Sequence, residues 1–507
     1  MGNAGALKDP YGGGTMYLGI DLGTSGVKSM LMDENQTLVG EASSRPIEVS
    51  RPHRGWSEQH PEQWWDAVCE SLDALAASHP TAMGAVRGIG LSGQMYGAAV
   101  LDETDMPIRP AILWNDTRTE KECLDFEVRA PEVRRIAGRK PTPGVTAPKL
   151  AWLRDHEPEA FRRTRTVLLP KDYLRLRLSG EKASDVADSS GTMWLDLAAR
   201  DWSDTLLAAT DLDRSQMPKL YEGIDPTGNL RPELAQRWGI ASRPVIAGGG
   251  GDNACGACGT GVIRDGEGTV SLGTSGVLFL ATGEVRPSYD HAIETLCHSI
   301  PGVWHQMSVI LSATSCVNWL SGVVKRPASE LVAELGTSLG APSSVLFVPF
   351  LDGCWSPRAD VEIRGALLGL QHSCDDEVLT RAVLQGVAFA LRECADAFRA
   401  AGSTIGSLLA IGGGSRSDLW LSMIATLLDV ELRVPEASEL GAAFGAARLA
   451  LIAESGASPQ SVLTAPRIKH VVSPVQNLAP AYADAYDTWL SVMPEVRRAS
   501  VALARAA

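Results

Sequence analysis

A seven-residue sequence occurs twice in this chain, about half the chain apart. Residues 21–27 read DLGTSGV and residues 271–277 read SLGTSGV, so six of the seven positions are identical. Each copy follows a short β-prone run and continues into apolar residues, which is the pattern of a strand, a tight glycine turn and a second strand. In a chain of 507 residues, this internal repeat predicts two related domains, each opening with a β-hairpin.

The remaining segments alternate between helix and strand patterns, so we predict an α/β fold. Residues 61–77 place Trp64, Val68, Leu72 and Leu75 on one helical face. Short apolar runs predict strands at 86–91, 243–248, 344–350 and 407–413. Helices are predicted at 417–429, 440–454 and 480–496. We expect a flexible extension at 1–15, an N-terminal domain at 16–260, and a C-terminal domain at 261–507 that ends in a closing helix.

Composition excludes several classes of protein. The formal charge of −14 argues against a general nucleic-acid or anionic-membrane binder. No run of about 18 apolar residues predicts a transmembrane helix, and residues 1–15 lack the apolar core of a secretory signal. Nine cysteines, an odd number, favour a reducing cytoplasm. The CxxC pair Cys255 and Cys258 is interpreted as helix packing, because no second pair or nearby histidine completes a metal site.

The first repeat has the residues of a phosphate-binding turn. Glycine lets the main chain approach an anion, and the hydroxyls of Thr24 and Ser25 could donate to phosphate oxygens. Asp21 is a candidate Mg²⁺ ligand, since Mg²⁺ usually binds one or two carboxylates together with the phosphates of the substrate. Lys28 is a candidate phosphate contact or a solvated side chain. The alternative is that residues 21–26 form an ordinary hairpin turn with no ligand.

The second repeat supplies a matching turn, Gly273, Thr274 and Ser275, so a nucleotide triphosphate could be held from two sides. A further glycine run, Gly412, Gly413 and Gly414, follows a predicted strand and precedes the helix that begins at Ser417. Such a turn exposes helix N–H groups and leaves a flat surface for a base or ribose. A tight strand-to-helix connection is the alternative for this run.

Asp252 is the candidate catalytic residue. It follows four glycines in the sequence GGGGDN, where it could be a helix N-cap or a general base that accepts the proton of an attacking hydroxyl. Polar side chains also follow two predicted strands of the first half, where ligands bind in open α/β sheets. These candidates for a polyhydroxylated substrate are Gln94, Met95, Tyr96, Trp114 and Asp116.

Together these motifs resemble the FGGY carbohydrate kinases of the actin/Hsp70-like ATPase superfamily. The resemblance runs from about Met16 to Glu454, and segments such as IDLGTSGVKSMLMDE, RPAILWNDTR, AGGGGDNACGA and LGAAFGAARLA are most similar to its xylulokinase branch. It implies two actin-like, ribonuclease H-like domains with ATP and sugar in the cleft between them. It also implies transfer of phosphate from ATP to the terminal hydroxyl of a ketopentose, with Mg²⁺ as cofactor. D-xylulose is the first candidate for this sugar.

The resemblance assigns roles to individual positions. It implies that Asp252 is the base, with Asn253 beside the sugar, and that Asp21 and Asp252 lie in the metal region. Nucleotide contacts are implied for the first turn, for 273–275, for 412–414 and for Ser417. Sugar contacts are implied for Gln94, Met95 and the segment 114–118.

Two departures from the family pattern concern the sugar. Tyr96 stands where the xylulokinase branch has histidine, and Cys354-Trp355 replaces a Glu-Arg pair. Both changes alter hydrogen-bonding groups. Another ketopentose or a polyol is therefore an alternative substrate. An actin- or Hsp70-like ATPase without sugar transfer is the alternative of another class. A homodimer is left open.

Overall fold

The computed structural model describes residues 14–436 and 441–506, so most of the predicted extension, residues 1–13, lies outside the described residues. The chain forms two compact units. The first takes in the described residues of Met1–Ile263, Leu296–Val303 and Glu439–Ala465. The second takes in those of Arg264–Thr295, Trp304–Ser438 and Pro466–Ala507.

The first unit is built on a mixed seven-stranded sheet. Its strands are β1 (Met16–Leu22), β2 (Val27–Asp33), β3 (Leu38–Ser43), β5 (Val86–Gly93), β13 (Pro226–Asn229), β14 (Val245–Ala247) and β15 (Gly250–Gly251). The order is β13-β14-β5-β1-β2-β3, and β15 continues the pairing of β14 with β5. The antiparallel pair β1–β2 is the predicted first hairpin, while β14, β15 and β1 are all parallel to β5.

Among the described residues of the first unit, four short ribbons lie outside this sheet. They pair β4 (Glu58–Gln59) with β7 (Ala111–Ile112), β6 (Ala99–Leu101) with β8 (Thr166–Leu168), β9 (Ala183–Asp185) with β12 (Lys219–Tyr221), and β10 (Leu195–Asp196) with β11 (Asp201–Trp202).

The described residues of the first unit contain thirteen helices, of which Pro61–Ser78 and Ala442–Ser455 pack on opposite faces of the sheet. The helices are α1 (Pro61–Ser78), α2 (Pro80–Gly84), α3 (Glu120–Arg129), α4 (Val133–Ile136), α5 (Thr146–His156), α6 (Pro158–Arg163), α7 (Pro170–Ser179), α8 (Val186–Ser189), α9 (Asp204–Ala208), α10 (Pro232–Arg237), α11 (Asp252–Thr260), α16 (Ala442–Ser455) and α17 (Pro459–Val462). Single 3₁₀ turns cover Ser190–Thr192 and Arg214–Gln216. The predicted apolar face of α1 is confirmed, because Trp64, Val68, Leu72 and Leu75 are all buried.

The other large sheet also has seven strands, and apart from residues 296–297 they belong to the second unit. Its strands are β16 (Glu267–Leu272), β17 (Gly276–Thr282), β18 (Glu294–Cys297), β19 (Trp304–Ile310), β22 (Ser407–Ile411), β23 (Glu431–Pro435) and β24 (Ile468–Val472). The order is β18-β19-β17-β16-β22-β23-β24, and β20 (Leu346–Val348) pairs separately with β21 (Ala366–Leu368). The predicted second hairpin is confirmed as the antiparallel pair β16–β17.

Within the part of the second unit that the structure describes, five helices and a 3₁₀ turn complete the fold. They are α12 (Thr314–Val324), α13 (Ala328–Glu334), α14 (Asp376–Ala400), the 3₁₀ turn Gly413–Arg416, α15 (Asp418–Leu428) and α18 (Ala479–Ala506). The closing helix α18 is longer than predicted. It buries Tyr482, Trp489 and Met493, and the Trp489 ring lies 5.8 Å from that of Phe389 on α14. Its apolar side therefore joins the core of this unit.

Helix α16 packs against the sheet of the first unit, although the sequence suggested that residues 440–454 belong to the C-terminal domain. A methyl group on Gly19 or Gly90 would lie 1.8 Å from a main-chain oxygen of α16. A methyl group on Gly445 would lie 1.8 Å from a main-chain oxygen of α11. These glycines allow α16 to touch the sheet on one side and α11 on the other.

The described residues contain no helix with the length and apolar character needed to cross a membrane. Cys255 and Cys258 are buried on α11, and burial raises the pKa of both thiols.

We predict that Gly90→Ala destabilises the first unit by more than about 3 kcal/mol, because the added methyl must displace α16 and overpacking alone usually costs 1–3 kcal/mol. The matched control is Gly256→Ala on α11, where a Cβ meets nothing within 4 Å. This control should be neutral or stabilising by up to about 1 kcal/mol. Denaturant unfolding measures both, and equal stability of the two variants would contradict the close contact.

Candidate functional site

Three parallel strands of the first unit end side by side. In their register, Asp21 pairs with Ser92, Gly250 also pairs with Ser92, and Gly251 pairs with Gly93. The Ser92 hydroxyl donates a hydrogen bond to Asp21 Oδ1 at 2.8 Å. The carboxyl ends of β1, β5 and β15 therefore gather Asp21, Gln94 and Asp252 at one edge of the sheet, where open α/β sheets bind ligands.

Asp21 is the acidic group at the end of β1. Burial raises the pKa of its carboxyl, and the hydrogen bond from Ser92 and the charge of Lys28 act in the opposite direction without cancelling it. Lys28 itself forms an ion pair with Glu41 on the neighbouring strand, with Nζ and Oε2 2.8 Å apart. The Asp21 carboxylate thus has a charge that the protein compensates only in part.

The first turn is closed by a hydrogen bond from the Gly23 N–H to the Gly26 carbonyl at 2.9 Å. Ser25 is exposed at its tip. The Thr24 hydroxyl lies 3.0 Å from Gln94 Oε1 and 2.9 Å from the indole nitrogen of Trp114. The side chain of Thr24 is therefore in contact with two of the predicted sugar-binding residues.

Asp252 is the first residue of α11, and the N-cap is Gly251. Its Oδ1 accepts hydrogen bonds from the main-chain N–H of Asn253 at 2.7 Å and from the Asn253 side chain at 2.8 Å. The half-buried carboxylate is thus oriented, and the positive end of the helix dipole stabilises its charge. The alternative of an N-cap role for Asp252 is wrong, because the cap position belongs to the preceding glycine.

The glycine run before Asp252 is held by a residue that the sequence analysis missed. The buried Arg175 guanidinium donates to the carbonyls of Ala247, at 2.7 Å, and Gly248, at 2.5 Å. A methyl on Gly249 would lie 2.0 Å from the Leu91 carbonyl oxygen. The available signal was the segment KDYLRLRL, in which cations four residues apart share one helical face among leucines.

Met95 and Tyr96 lie next to the Gly251 end of this loop. A methyl on Gly251 would lie 2.7 Å from Met95 Cγ, and one on Gly191 would lie 2.2 Å from Tyr96 Cε1. Tyr96 has a left-handed backbone with φ of 66°. The guanidinium of Arg139 lies 5.2 Å from the centre of its ring.

The Tyr96 carbonyl accepts hydrogen bonds from Lys149 Nζ at 2.7 Å and from the Thr146 hydroxyl at 3.1 Å. Lys149 is fully buried, and burial lowers its pKa well below the usual value. The position of Tyr96 is therefore fixed at its main chain as well as at its ring.

Trp114 and Asp116 occupy different environments. Trp114 is 48% exposed, so its ring offers a surface for a ligand. Asp116 is buried, and its carboxylate accepts hydrogen bonds from the Ser57 N–H at 2.6 Å and from Arg118 Nη2 at 2.7 Å. Asp116 therefore anchors this segment, and its contact with sugar stays a prediction.

Two glycine turns are neighbours in the second unit. Strand β16 is parallel to β22, so the turn Gly273–Ser275 and the run Gly412–Gly414 follow adjacent strand ends. Gly412 has φ of 86°, and a methyl there would lie 2.8 Å from the Leu272 carbonyl oxygen. Thr274 is exposed. These two turns form one glycine-lined surface.

This surface is braced by two helix starts. The N–H groups of Ala313 and Thr314 donate to the carbonyls of Thr274, at 2.8 Å, and Gly273, at 3.0 Å. The Ser417 hydroxyl caps α15 by accepting from the Trp420 N–H at 3.3 Å. Ser417 thus has a structural partner, and its contact with nucleotide stays a prediction.

Comparison with known proteins assigns the chain to a family. The model described as "FGGY family of carbohydrate kinases, N-terminal domain" matches residues 16–259, and the C-terminal domain model of the same family matches residues 268–454. A xylulose kinase of Escherichia coli K12 is 47% identical over 88% of this chain and 91% of its own length. A xylulose kinase of Bacillus subtilis 168 is 34% identical over 85% of this chain and 87% of its own.

Solved structures agree with the sequence relatives. The crystal structure of a protein described as a xyloylose kinase from Brucella ovis has a TM-score of 0.92 and 50% identity, covering 95% of this chain and 99% of that one. The two α/β units thus have the actin-like ATPase fold of sugar kinases, as the sequence predicted. The chain belongs to the FGGY family of carbohydrate kinases.

Proposed function

We propose that this carbohydrate kinase transfers the γ-phosphoryl group of ATP to the terminal hydroxyl of a ketopentose, with D-xylulose giving D-xylulose 5-phosphate. The observation that carries the proposal is the register of β5 with β15 and β1, which gathers Asp252, Gln94 and Asp21 at one sheet edge. The xylulose kinase of E. coli, 47% identical over 88% of the chain, supports the choice of sugar.

In the proposed reaction, Asp252 accepts the proton of the terminal hydroxyl as that oxygen attacks the γ-phosphorus. The new P–O bond forms as the bond to the β-phosphate bridging oxygen breaks, and ADP leaves. The hydrogen bonds from Asn253 hold the carboxylate in one orientation, which is what a general base requires. The proposed sugar surface consists of Gln94, Met95, Tyr96, Trp114 and Asn253.

We assign the phosphates of ATP to the main-chain groups of the turns that contain Ser25, Thr274 and Ser275, and the nucleoside to the surface of Gly412–Gly414. The glycines of these turns leave room for close approach of the ligand, and the N–H groups of a turn can donate hydrogen bonds to an anion. Lys28 and Ser417 have protein partners, an ion pair and a helix cap, and their contacts with ligand stay predictions.

The residues at this edge fit a magnesium ion. Among the described residues, no group of three or more His, Cys, Asp or Glu side chains could hold a metal. Mg²⁺ in kinases needs only one or two carboxylates together with phosphate oxygens. Asp21 suits this task because burial raises its pKa and its charge is only partly compensated. Bound Mg²⁺ would neutralise charge on the transferring phosphoryl group, with Asp21 and Asp252 as its candidate ligands.

A cytoplasmic location is proposed together with this function, because ATP is used there and all nine cysteines are free of disulfides. A homodimer stays a prediction.

We expect release of ADP to depend on sugar and to be fastest with D-xylulose in a coupled assay over ketopentoses and polyols. A kinase positions its acceptor before transfer, so turnover rises strongly when that acceptor is present. Equal rates of ADP release with and without every sugar would contradict the proposal and favour the ATPase alternative. A faster reaction with a polyol would retain the kinase and replace the sugar.

We predict that Asp252→Asn lowers kcat by about 10²–10⁴-fold, the usual contribution of a general base, while D-xylulose and nucleotide still bind. Asparagine keeps the oxygen that accepts from Asn253 but cannot accept a proton from the substrate. Asp204→Asn is the matched control, since Asp204 is also the first residue of a helix, α9, where it pairs with Arg214. A kcat near that of the wild type in Asp252→Asn would remove Asp252 from the role of base.

The raised pKa of Asp21 predicts a pH-dependent effect of magnesium. A proton competes with Mg²⁺ for this carboxylate, so the tightening of ATP-analogue binding by Mg²⁺ should weaken as pH falls, beginning at a higher pH than for an ordinary carboxyl. Calorimetry with a non-hydrolysable ATP analogue, with and without Mg²⁺, measures this effect. It should be small at every pH in Asp21→Asn and of wild-type size in Asp66→Asn, which alters an exposed residue of α1. The same Mg²⁺ effect in Asp21→Asn as in the wild type would exclude Asp21 as a ligand.

A further inference from the structure

A continuous chain of side-chain hydrogen bonds joins the first glycine turn to the proposed sugar surface. The Trp114 indole N–H contacts Thr24 Oγ1 at 2.9 Å, and Thr24 Oγ1 contacts Gln94 Oε1 at 3.0 Å. Gln94 Nε2 contacts Gln59 Oε1 at 3.1 Å, and the Trp64 indole N–H contacts the same Gln59 oxygen at 2.9 Å. The chain therefore begins and ends on an indole.

The two indoles fix the direction of every bond in this chain, because an indole N–H can only donate. The atom of Gln59 that faces Trp64 must be its carbonyl oxygen, so the atom of Gln94 that faces Gln59 must be its NH₂ group. The remaining amide atom of Gln94, its oxygen, must then accept from Thr24. The Thr24 hydroxyl consequently donates its one hydrogen to Gln94 and accepts from Trp114.

A phosphate oxygen needs a hydrogen-bond donor, and the Thr24 hydroxyl has no second hydrogen to give. We infer that the Thr24 hydroxyl, together with Gln59, positions Gln94 and Trp114 for the sugar and is not a ligand of ATP. This inference rests on the proposed function, because it takes Gln94 and Trp114 to be sugar contacts. The phosphate-binding capacity of the turn then belongs to its main chain and to Ser25.

Gln59 makes the arrangement rigid. It is 1% exposed on β4, and its Nε2 donates to the main-chain carbonyl of Thr24 at 2.8 Å. One buried amide thus holds the turn through its nitrogen and Gln94 through its oxygen. Gln59 lies outside every predicted ligand-binding motif, although its hydrogen bonds connect both proposed ligand surfaces of the first unit.

The test is Thr24→Val, which keeps the shape of the side chain and leaves the Gln94 oxygen and the Trp114 N–H without their partner. We expect the Kd for D-xylulose, measured by calorimetry without nucleotide, to rise roughly tenfold, because Gln94 and Trp114 are no longer held in position. The Kd for a non-hydrolysable ATP analogue should stay within about twofold, because no phosphate contact is lost. Thr24→Ser, which keeps the hydroxyl, should restore sugar affinity.

Thr37→Val is the matched control, since Thr37 is exposed in the turn after β2, and it should change neither Kd. If the valine variant does not fold, Thr24→Ala replaces it in the same binding measurements. Weaker binding of the ATP analogue with unchanged sugar affinity would overturn the inference and make the hydroxyl a phosphate ligand. Equal loss of both affinities, or no loss of either, would overturn it too. A wild-type protein that binds no sugar would instead overturn the proposed function.

Discussion

The candidate site depends on the parallel register of three strands. Because β1 and β15 both align with β5, two residues that are 231 positions apart, Asp21 and Asp252, lie at strand ends on the same edge. Where α16 crosses β1 and β5, the strands have room only for glycine. A methyl on Gly19 or Gly90 would overlap the helix main chain. Close packing of α16 on the sheet and the position of the acidic residues are thus parts of one arrangement.

Around this edge, buried polar groups orient the residues proposed to meet the substrate. Arg175 donates to the loop before Asp252, Lys149 donates to the carbonyl of Tyr96, and Gln59 donates to the carbonyl of Thr24. Each of these donors is buried, so its hydrogen bond replaces one that water would otherwise provide. Rigid loops of this kind favour catalysis, because they reduce the reorganisation needed when substrate binds.

Much of this arrangement could be predicted from the sequence. The repeated turn sequence predicted both hairpins, an apolar face predicted α1, and helices were also predicted where α15 and α18 lie. The position of α16 was not predictable, because a local pattern does not say which sheet a helix covers. Nor could local patterns separate Asp116, buried against Arg118, from the exposed Trp114, since both follow the same strand. The donor and acceptor roles of the Thr24 hydroxyl could be assigned only from the indole contacts that the structure shows.

The central claim is that the sheet edge of the first unit presents a sugar hydroxyl to Asp252. A crystal structure with D-xylulose and a non-hydrolysable ATP analogue tests it most directly. We predict the terminal hydroxyl oxygen of the sugar within hydrogen-bonding distance, about 2.6–3.2 Å, of the Asp252 carboxylate, with the γ-phosphate on the far side of that oxygen. A sugar bound away from Asp252, or a terminal oxygen that faces no carboxylate, would contradict the account.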